Sequence, residues 1–169
     1  MNNSFFLYED VTPEVIKKLQ IELLEFNKNK IEEDEYQEIF IFINSYGGDA
    51  VTALNFSAFL MNLPNKITTI VCSSCFSGAA AILLAGDERL AYKFSEVMFH
   101  DIKISLVEMK YGELNNFSTV LDALMEKYHN YISERTGISI DVVIDKLSNK
   151  EFYLTAEQAL SFNIINKII

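Results

Sequence analysis

Three places in the chain join a run of β-forming residues to a residue type that could take part in acyl transfer. They are Gly47-Gly48 after "IFIFINSY", Ser77-Gly78 after "ITTIVCSSCF", and His100 closing "EVMFH". A serine entering a helix N-terminus beside small residues suits a nucleophile, because substrate can approach its hydroxyl closely. A diglycine turn lets backbone N–H groups face a developing oxyanion. Histidine is the side chain best able to take a serine proton near neutral pH. Each pattern also has a plain structural reading: serine before glycine is a helix cap, a strand-end histidine is held by hydrogen bonds, and diglycine is a turn. Beside these plain readings stands the alternative of a Ser–His hydrolase, whose nucleophile would lie within "VCSSCFSGAAAILLAG", residues 71–86. That stretch also carries both cysteines of the chain, Cys72 and Cys75. A structural zinc site would need a second ligand pair. A thioredoxin-type pair sits at a helix N-terminus, whereas Cys72 closes an apolar β-like run. Two small core residues are therefore expected, with a redox or metal pair as the alternative.

The elements that must position these residues alternate along the chain. "SFFLYE" has strand character, after which Thr12 as N-cap and Pro13 at the first helical position open a helix. Its apolar residues Ile16, Leu19, Leu23 and Phe26 keep a helical period. "IFIFIN" is a run of β-formers, "DAVTALNFSAFLMNL" a buried helix stopped at Pro64, "ITTIV" a strand, and "SGAAAILLAG" a short helix ended by Gly86. "EVMFH" follows as a strand. From Glu113 to Arg135 the residues Phe117, Leu121, Leu124, Tyr128 and Ile132 mark one face of a long helix. Ser139 can cap another helix, and Thr155 with Gln158 forms a capping-box pattern before a last strand, "NIINKII". This alternation predicts an α/β fold with a largely parallel sheet, in which sites gather at strand C-terminal ends.

Composition narrows the function classes. The chain has 169 residues, half of them apolar, which matches one ordinary domain over 1–169 with no need of disulfides or structural metal. Twenty-four acidic against fourteen basic residues give a net charge of -10. That field opposes nucleic acid and anionic membrane surfaces. The acidic run Glu32 to Glu38 reads as a solvated loop. The longest apolar run, Ala79 to Ala85, is far below the roughly 18 residues of a membrane span, and "MNNSFF" lacks a signal-peptide pattern, so a cytoplasmic protein is expected.

On these residues the chain resembles the proteolytic subunit of the Clp protease and its relatives on the Clp/crotonase fold. "FINSYGGDAVTAL" is similar to that family's I-N-S-P-G-G-S-V-T-A segment, and "CFSGAAAILLAG" to its A-S-M-G-A-x-L-L-A-A-G nucleophile helix. "SEVMFHD" resembles S-R-V-M-I-H-Q. "TGISIDVVIDKLSNKEFYLTAEQALSFNII" follows T-G-x-S, the acidic residue before F-L-S-A-x-E-A, and the closing G-L-[VI] strand. The resemblance runs from about Ser4 to Ile168. It implies an α/β fold of repeated β-β-α and βαβ units with a mainly parallel sheet and a long protruding helix. It also implies a serine endopeptidase that works as a homo-oligomeric ring on peptides or unfolded proteins, with no metal or organic cofactor.

Position by position, the resemblance makes Ser77 the nucleophile, nine residues before Gly86 as in the family, and leaves Ser73 and Ser74 structural. It makes His100 the general base, and Gly48 and Gly78 the backbone donors of the oxyanion hole. For the third triad member the matching place in "NKEFYLTAEQA" is Glu151, where the family usually has Asp and phage-type relatives show E-x-W-L-T-A-E-E-A. Asp145, six residues earlier, is the alternative. The other histidine, His129, lies beside Met125 and Ile132 and is assigned to packing or interface.

The chain also departs from the family. Tyr46 replaces the proline before the diglycine, Asp49 replaces the following serine, and His100 precedes Asp101-Ile102 instead of Gln-Pro. Gly112 is the one glycine in "DIKISLVEMKYGEL", the loop and strand that hold substrate backbone in the family. Met1 falls three residues before the first strand, so any partnership with an AAA+ unfoldase is expected to be weak or different. Apolar residues beyond one face of the long helix (Leu114, Val120, Met125, Tyr131) predict oligomer formation. Two other classes stay open: a catalytically weak or inactive ring subunit or binding module, and a crotonase-type acyl-CoA enzyme, against which the pairing of Ser77 with His100 argues.

Overall fold

Alternating isoleucine and phenylalanine give β2, Ile39–Ser45, one wholly buried face, with Ile39, Ile41 and Ile43 all inaccessible to solvent. This strand and β3, Ile67–Phe76, form the centre of the sheet. The computed structural model describes residues 3–28, 36–103, 111–148 and 150–169, with 111–116 described by their backbone alone. β1, Ser4–Leu7, pairs parallel with β2. On the other side of β3 come β4, Glu88–Ala91, and β7, Lys167–Ile168, both parallel. β5, Glu96–His100, pairs parallel with the end of β3, and β6, Glu151–Thr155, closes the sheet antiparallel to β5. The α/β architecture with a mostly parallel sheet is thus the one expected.

The helices cover this sheet. α1, Pro13–Lys28, buries Ile16, Leu19, Leu23 and Phe26, the four residues that share its helical period. α2, Ala50–Met61, buries Ala53, Phe56, Ser57 and Leu60 but exposes Val51 and Met61, so it is half-buried and not enclosed. α3, Gly78–Leu84, is buried along its whole length, which its run of Gly, Ala, Ile and Leu permits. α4, Tyr111–Thr136, buries Tyr128 and Ile132 near its C-terminus while Val120, two turns earlier, is 65% exposed. α5, Ile140–Leu147, and α6, Ala156–Ser161, complete the second half, and the capping box of Thr155 and Gln158 forms in full.

Two strands were not anticipated. In β4 the buried Arg89 hides the pattern: its guanidinium donates to the backbone oxygens of Gly86, Asn163 and Ile164, so a charged residue occupies a core position without exposing polar atoms. β6 alternates around a single buried residue, Leu154, which leaves little period to detect.

The feature that builds the site is the double use of β3. Its first half, Thr68 to Val71, pairs with β4, and its last three residues, Ser74 to Phe76, pair with β5. Between these halves β3 carries extra residues relative to β2: Ile43 faces Val71, yet Ser45 faces Cys75. Such a bulge bends a strand and re-aims the residues beyond it. Asn44 accepts from the Ser74 N–H at 3.2 Å and so fixes the irregularity. Ser73 and Ser74 lie in it, in the approach to the helix.

Candidate active site

β3 delivers Ser77 at a sharp turn into α3. Its φ of 54° and ψ of -121° place a side-chain-bearing residue in left-handed backbone space, shared among non-glycine residues only by Asn163 in the described chain. A non-glycine residue persists there only where its surroundings over-determine it. The constraints are visible: the Ser77 N–H donates to Met98 O of β5 at 2.8 Å, and its carbonyl accepts from Ala80 and Ala81. The hydroxyl makes no capping bond to α3. It remains available to the adjoining cavity of about 550 Å³, which Ser77, Gly78, Gly48 and His100 all line.

The diglycine turn is held from both sides by Val11, whose N–H donates to Gly47 O at 2.7 Å and whose carbonyl accepts from Asp49 N at 2.8 Å. Ser45, buried, accepts from Gly47 N and donates to Glu9 O. These bonds account for the N–H groups on either side of Gly48, and among the described residues none takes the Gly48 N–H itself. Gly78 lies against it, for a methyl built on Gly78 would stand 3.5 Å from Gly48 N. The Gly78 N–H, at the first turn of α3, is likewise without a backbone acceptor among the described residues. Gly47 and Gly48 need their missing side chains: their φ values are 90° and 149°, and a Cβ on either would fall 2.3 Å from a backbone oxygen.

Asp49 is occupied elsewhere. Its carboxylate caps α2 by accepting from Thr52 N at 2.7 Å, so its charge is directed at the helix N-terminus. Tyr46 packs its exposed ring beside Phe76, and Phe76 meets Tyr153 edge-on, which makes an aromatic rim around the turn.

His100 ends β5. Its Nδ1 bonds the backbone carbonyl of Asp101. A carbonyl oxygen only accepts, so Nδ1 carries the proton and the neutral ring keeps Nε2 bare, as a general base must. Glu151 stands directly across from His100 in the antiparallel β5–β6 pairing. Its carboxylate, however, accepts from Lys103 Nζ at 2.8 Å and from the Tyr153 hydroxyl at 3.2 Å. The Lys103 bond, above all, holds Glu151 below the usual carboxylate range, with its charge, the Tyr153 bond and the neighbouring His100 adding to the effect. Asp145 points to water, 74% exposed, 3.9 Å from Lys150.

Sequence reasoning missed Asp101. Its carboxylate meets His129 Nε2 at 3.0 Å. A bond between residues 28 apart leaves no periodic signal, and the Asp101-Ile102 departure after His100 was its only trace. The cysteines separate: Cys75 is buried, with its thiol pushed up by desolvation, while Cys72 is half-buried and accepts from the Tyr8 hydroxyl at 3.6 Å. Gly112 has no described side-chain surroundings, and residues 104–110 of the expected substrate-holding segment lie outside the described residues, as do Glu32 to Glu35 of the acidic run and the Leu114 side chain.

Comparison with known proteins agrees with this architecture. Residues 1–169 match a protein-family model described as Clp protease. An ATP-dependent Clp protease proteolytic subunit of Illicium oligandrum is 27% identical over 139 residues, 80% of this chain and 68% of that protein. A solved structure, a mutant of ClpP1 from Listeria monocytogenes, superposes with a TM-score of 0.85 over 99% of this chain and 91% of the other, at 20% identity.

Proposed function

Since the chain belongs to the Clp protease family, we propose that it is a serine endopeptidase in which Ser77 attacks a peptide carbonyl. His100 Nε2 takes the hydroxyl proton as the Oγ–C bond forms, then returns it to the leaving amine as the C–N bond breaks. The oxyanion is stabilised by the Gly48 and Gly78 N–H groups. Water, deprotonated by the same imidazole, resolves the acyl-enzyme and restores Ser77. The observation that carries this reading is the Gly48 N–H, left without an acceptor among the described residues, beside a strained serine and in the cavity that His100 also lines.

Glu151 serves as the acid that supports the imidazolium. Directly opposed residues of an antiparallel pair have Cβ atoms roughly 4.5–5.5 Å apart, so a change of rotamer away from Lys103 would bring its negative charge beside the His100 ring, supporting the imidazolium while Nδ1–H stays on Asp101 O. Glu151→Gln is expected to lower kcat on the order of 10²-fold with folding intact. Near-normal turnover in this variant, together with its loss in Asp145→Asn, would move the acid to Asp145.

The proposed assembly is a homo-oligomeric ring. Val120 supports it: this apolar side chain of α4 is 65% exposed at the rim of the cavity that Ser77 lines, a position suited to cover by a second copy. Sedimentation at micromolar concentration should show a multiple of 19.3 kDa. A single species of that mass would exclude the ring.

One observation favours a second reading, a ring subunit with weak or no activity: Glu151 is engaged by Lys103 and Tyr153 instead of His100. A fluorophosphonate probe separates the two. Covalent modification of Ser77, located by mass spectrometry, supports the peptidase. An unmodified chain, or one modified elsewhere, refutes it.

A further inference from the structure

The segment leaving β5 is tied to α4 at two successive residues. Asp101 meets His129 Nε2 at 3.0 Å, and the Ile102 N–H donates to Met125 Sδ at 3.3 Å. His129 and Met125 lie one helical turn apart, on one side of α4. His129 is buried, at 9% exposure, whereas Asp101 is part-exposed. The neighbouring Tyr128 and Leu124 line the cavity that holds Ser77.

Asp101 has two roles at once. Its backbone oxygen accepts a hydrogen bond from His100 Nδ1–H, and its carboxylate is gripped by α4. In water, neutral histidine favours the proton on Nε2, the tautomer that would present Ser77 with a donor and no base. An acceptor at Nδ1 reverses that preference only if it stays in place. The peptide that carries this carbonyl is held from outside the strand at both of its residues, by Met125 at the Ile102 N–H and by His129 at the Asp101 carboxylate.

We propose that His129 is a positioning residue for the general base: by holding the Asp101 carboxylate it fixes the carbonyl that keeps His100 in its Nδ1–H tautomer. The proposal rests on the peptidase reading for its meaning in turnover, but its structural content stands apart from it. Among the described residues, the titratable or hydroxyl groups that share the cavity or strand pairing with His100 are Asp101 and Lys103 after β5, Glu151 on β6, Ser77 before α3, Tyr46 and Asp49 before α2, and Tyr128 on α4. Only the first of these bonds to its Nδ1.

The chain has two histidines, so His129→Gln leaves His100 as the sole imidazole, and ¹⁵N-histidine NMR then reads its tautomer directly. Glutamine keeps an N–H donor near the place of Nε2. His129→Leu removes the donor, and Asp101→Ala removes its partner from the part-exposed side, so the test survives if the buried leucine variant fails to fold. His129→Gln should retain the Nδ1–H tautomer and most of the turnover. Folded Asp101→Ala and His129→Leu should show mixed tautomers and a displaced acid limb of kcat/KM. In both, kcat falls about tenfold with KM nearly unchanged, a part of the roughly 10²–10⁴-fold that general-base catalysis supplies. The double variant should be no worse than either single one, as for two residues acting through one contact. If Asp101→Ala, folded, keeps His100 as the pure Nδ1–H tautomer with unchanged kcat, the proposal is overturned. If the tautomer responds as expected while fluorophosphonate leaves Ser77 of the unaltered chain unmodified, the positioning role stands and the peptidase reading fails.

Discussion

Ser77→Ala is expected to abolish peptide cleavage and fluorophosphonate labelling together, a loss on the order of 10⁴-fold or more in kcat. The substitution deletes one oxygen that makes no capping bond to α3, so the fold has little to lose. The backbone at φ 54° stays held by the bond to Met98 O and by the first turn of α3. Equilibrium unfolding should therefore be nearly unchanged, since alanine keeps the Cβ and the same left-handed backbone. Ser73→Ala and Ser74→Ala change side chains in the β3 bulge, away from the cavity lining, and should cleave peptide normally. Retained cleavage in Ser77→Ala with loss in Ser74→Ala would show that the nucleophile has been misplaced.

Gly47→Ala should be nearly as damaging by a different route. The added methyl would lie 2.3 Å from Phe76 O, 2.8 Å from Gly78 N and 2.8 Å from Ser77 Cβ, at a φ of 90° that alanine rarely adopts. Backbone atoms cannot swing aside as the end of a lysine could. The diglycine turn must move away from the nucleophile, and the Gly48 N–H goes with it. Losing one oxyanion donor costs roughly 10²–10³-fold in kcat, and overpacking adds about 1–3 kcal/mol of destabilisation. The measurement is kcat at a temperature well below the unfolding midpoint, beside a urea titration. A variant that unfolds earlier yet turns over normally when folded would separate the turn from the chemistry.

Much of the fold was legible because its elements carry strong patterns. The four-residue apolar face of α1, the Ile/Phe alternation of β2 and the capping box before α6 each state their own structure. The strand ends bearing Gly48, Ser77 and His100 could be recognised one by one. Their convergence could not be read from period or propensity, since it depends on β3 changing partner from β4 to β5 within a single strand. β4 was hidden by Arg89, a core residue of the wrong polarity whose three backbone acceptors come partly from 75 residues away. Lys103 and His129 illustrate the same limit. Each finds its acid, Glu151 or Asp101, across the fold, and residue type alone assigns a lysine to solvent and a helical histidine to packing.

The partner exchange of β3 also predicts units of unequal cooperativity. β5 with β6 is attached to the main sheet through three paired residues of β3, Ser74 to Phe76, whereas β2 runs beside β3 for most of its length. Hydrogen exchange in such proteins proceeds by opening of whole substructures, the weakly anchored ones first. A transient departure of β5 and β6 would carry His100 and Glu151 away and remove Met98 O, one of the partners that hold Ser77, while α3 and the central strands stay in place. In the proposed mechanism Ser77 and His100 would thus stand on parts of the sheet that open separately, the less stable part setting the lifetime of their pairing.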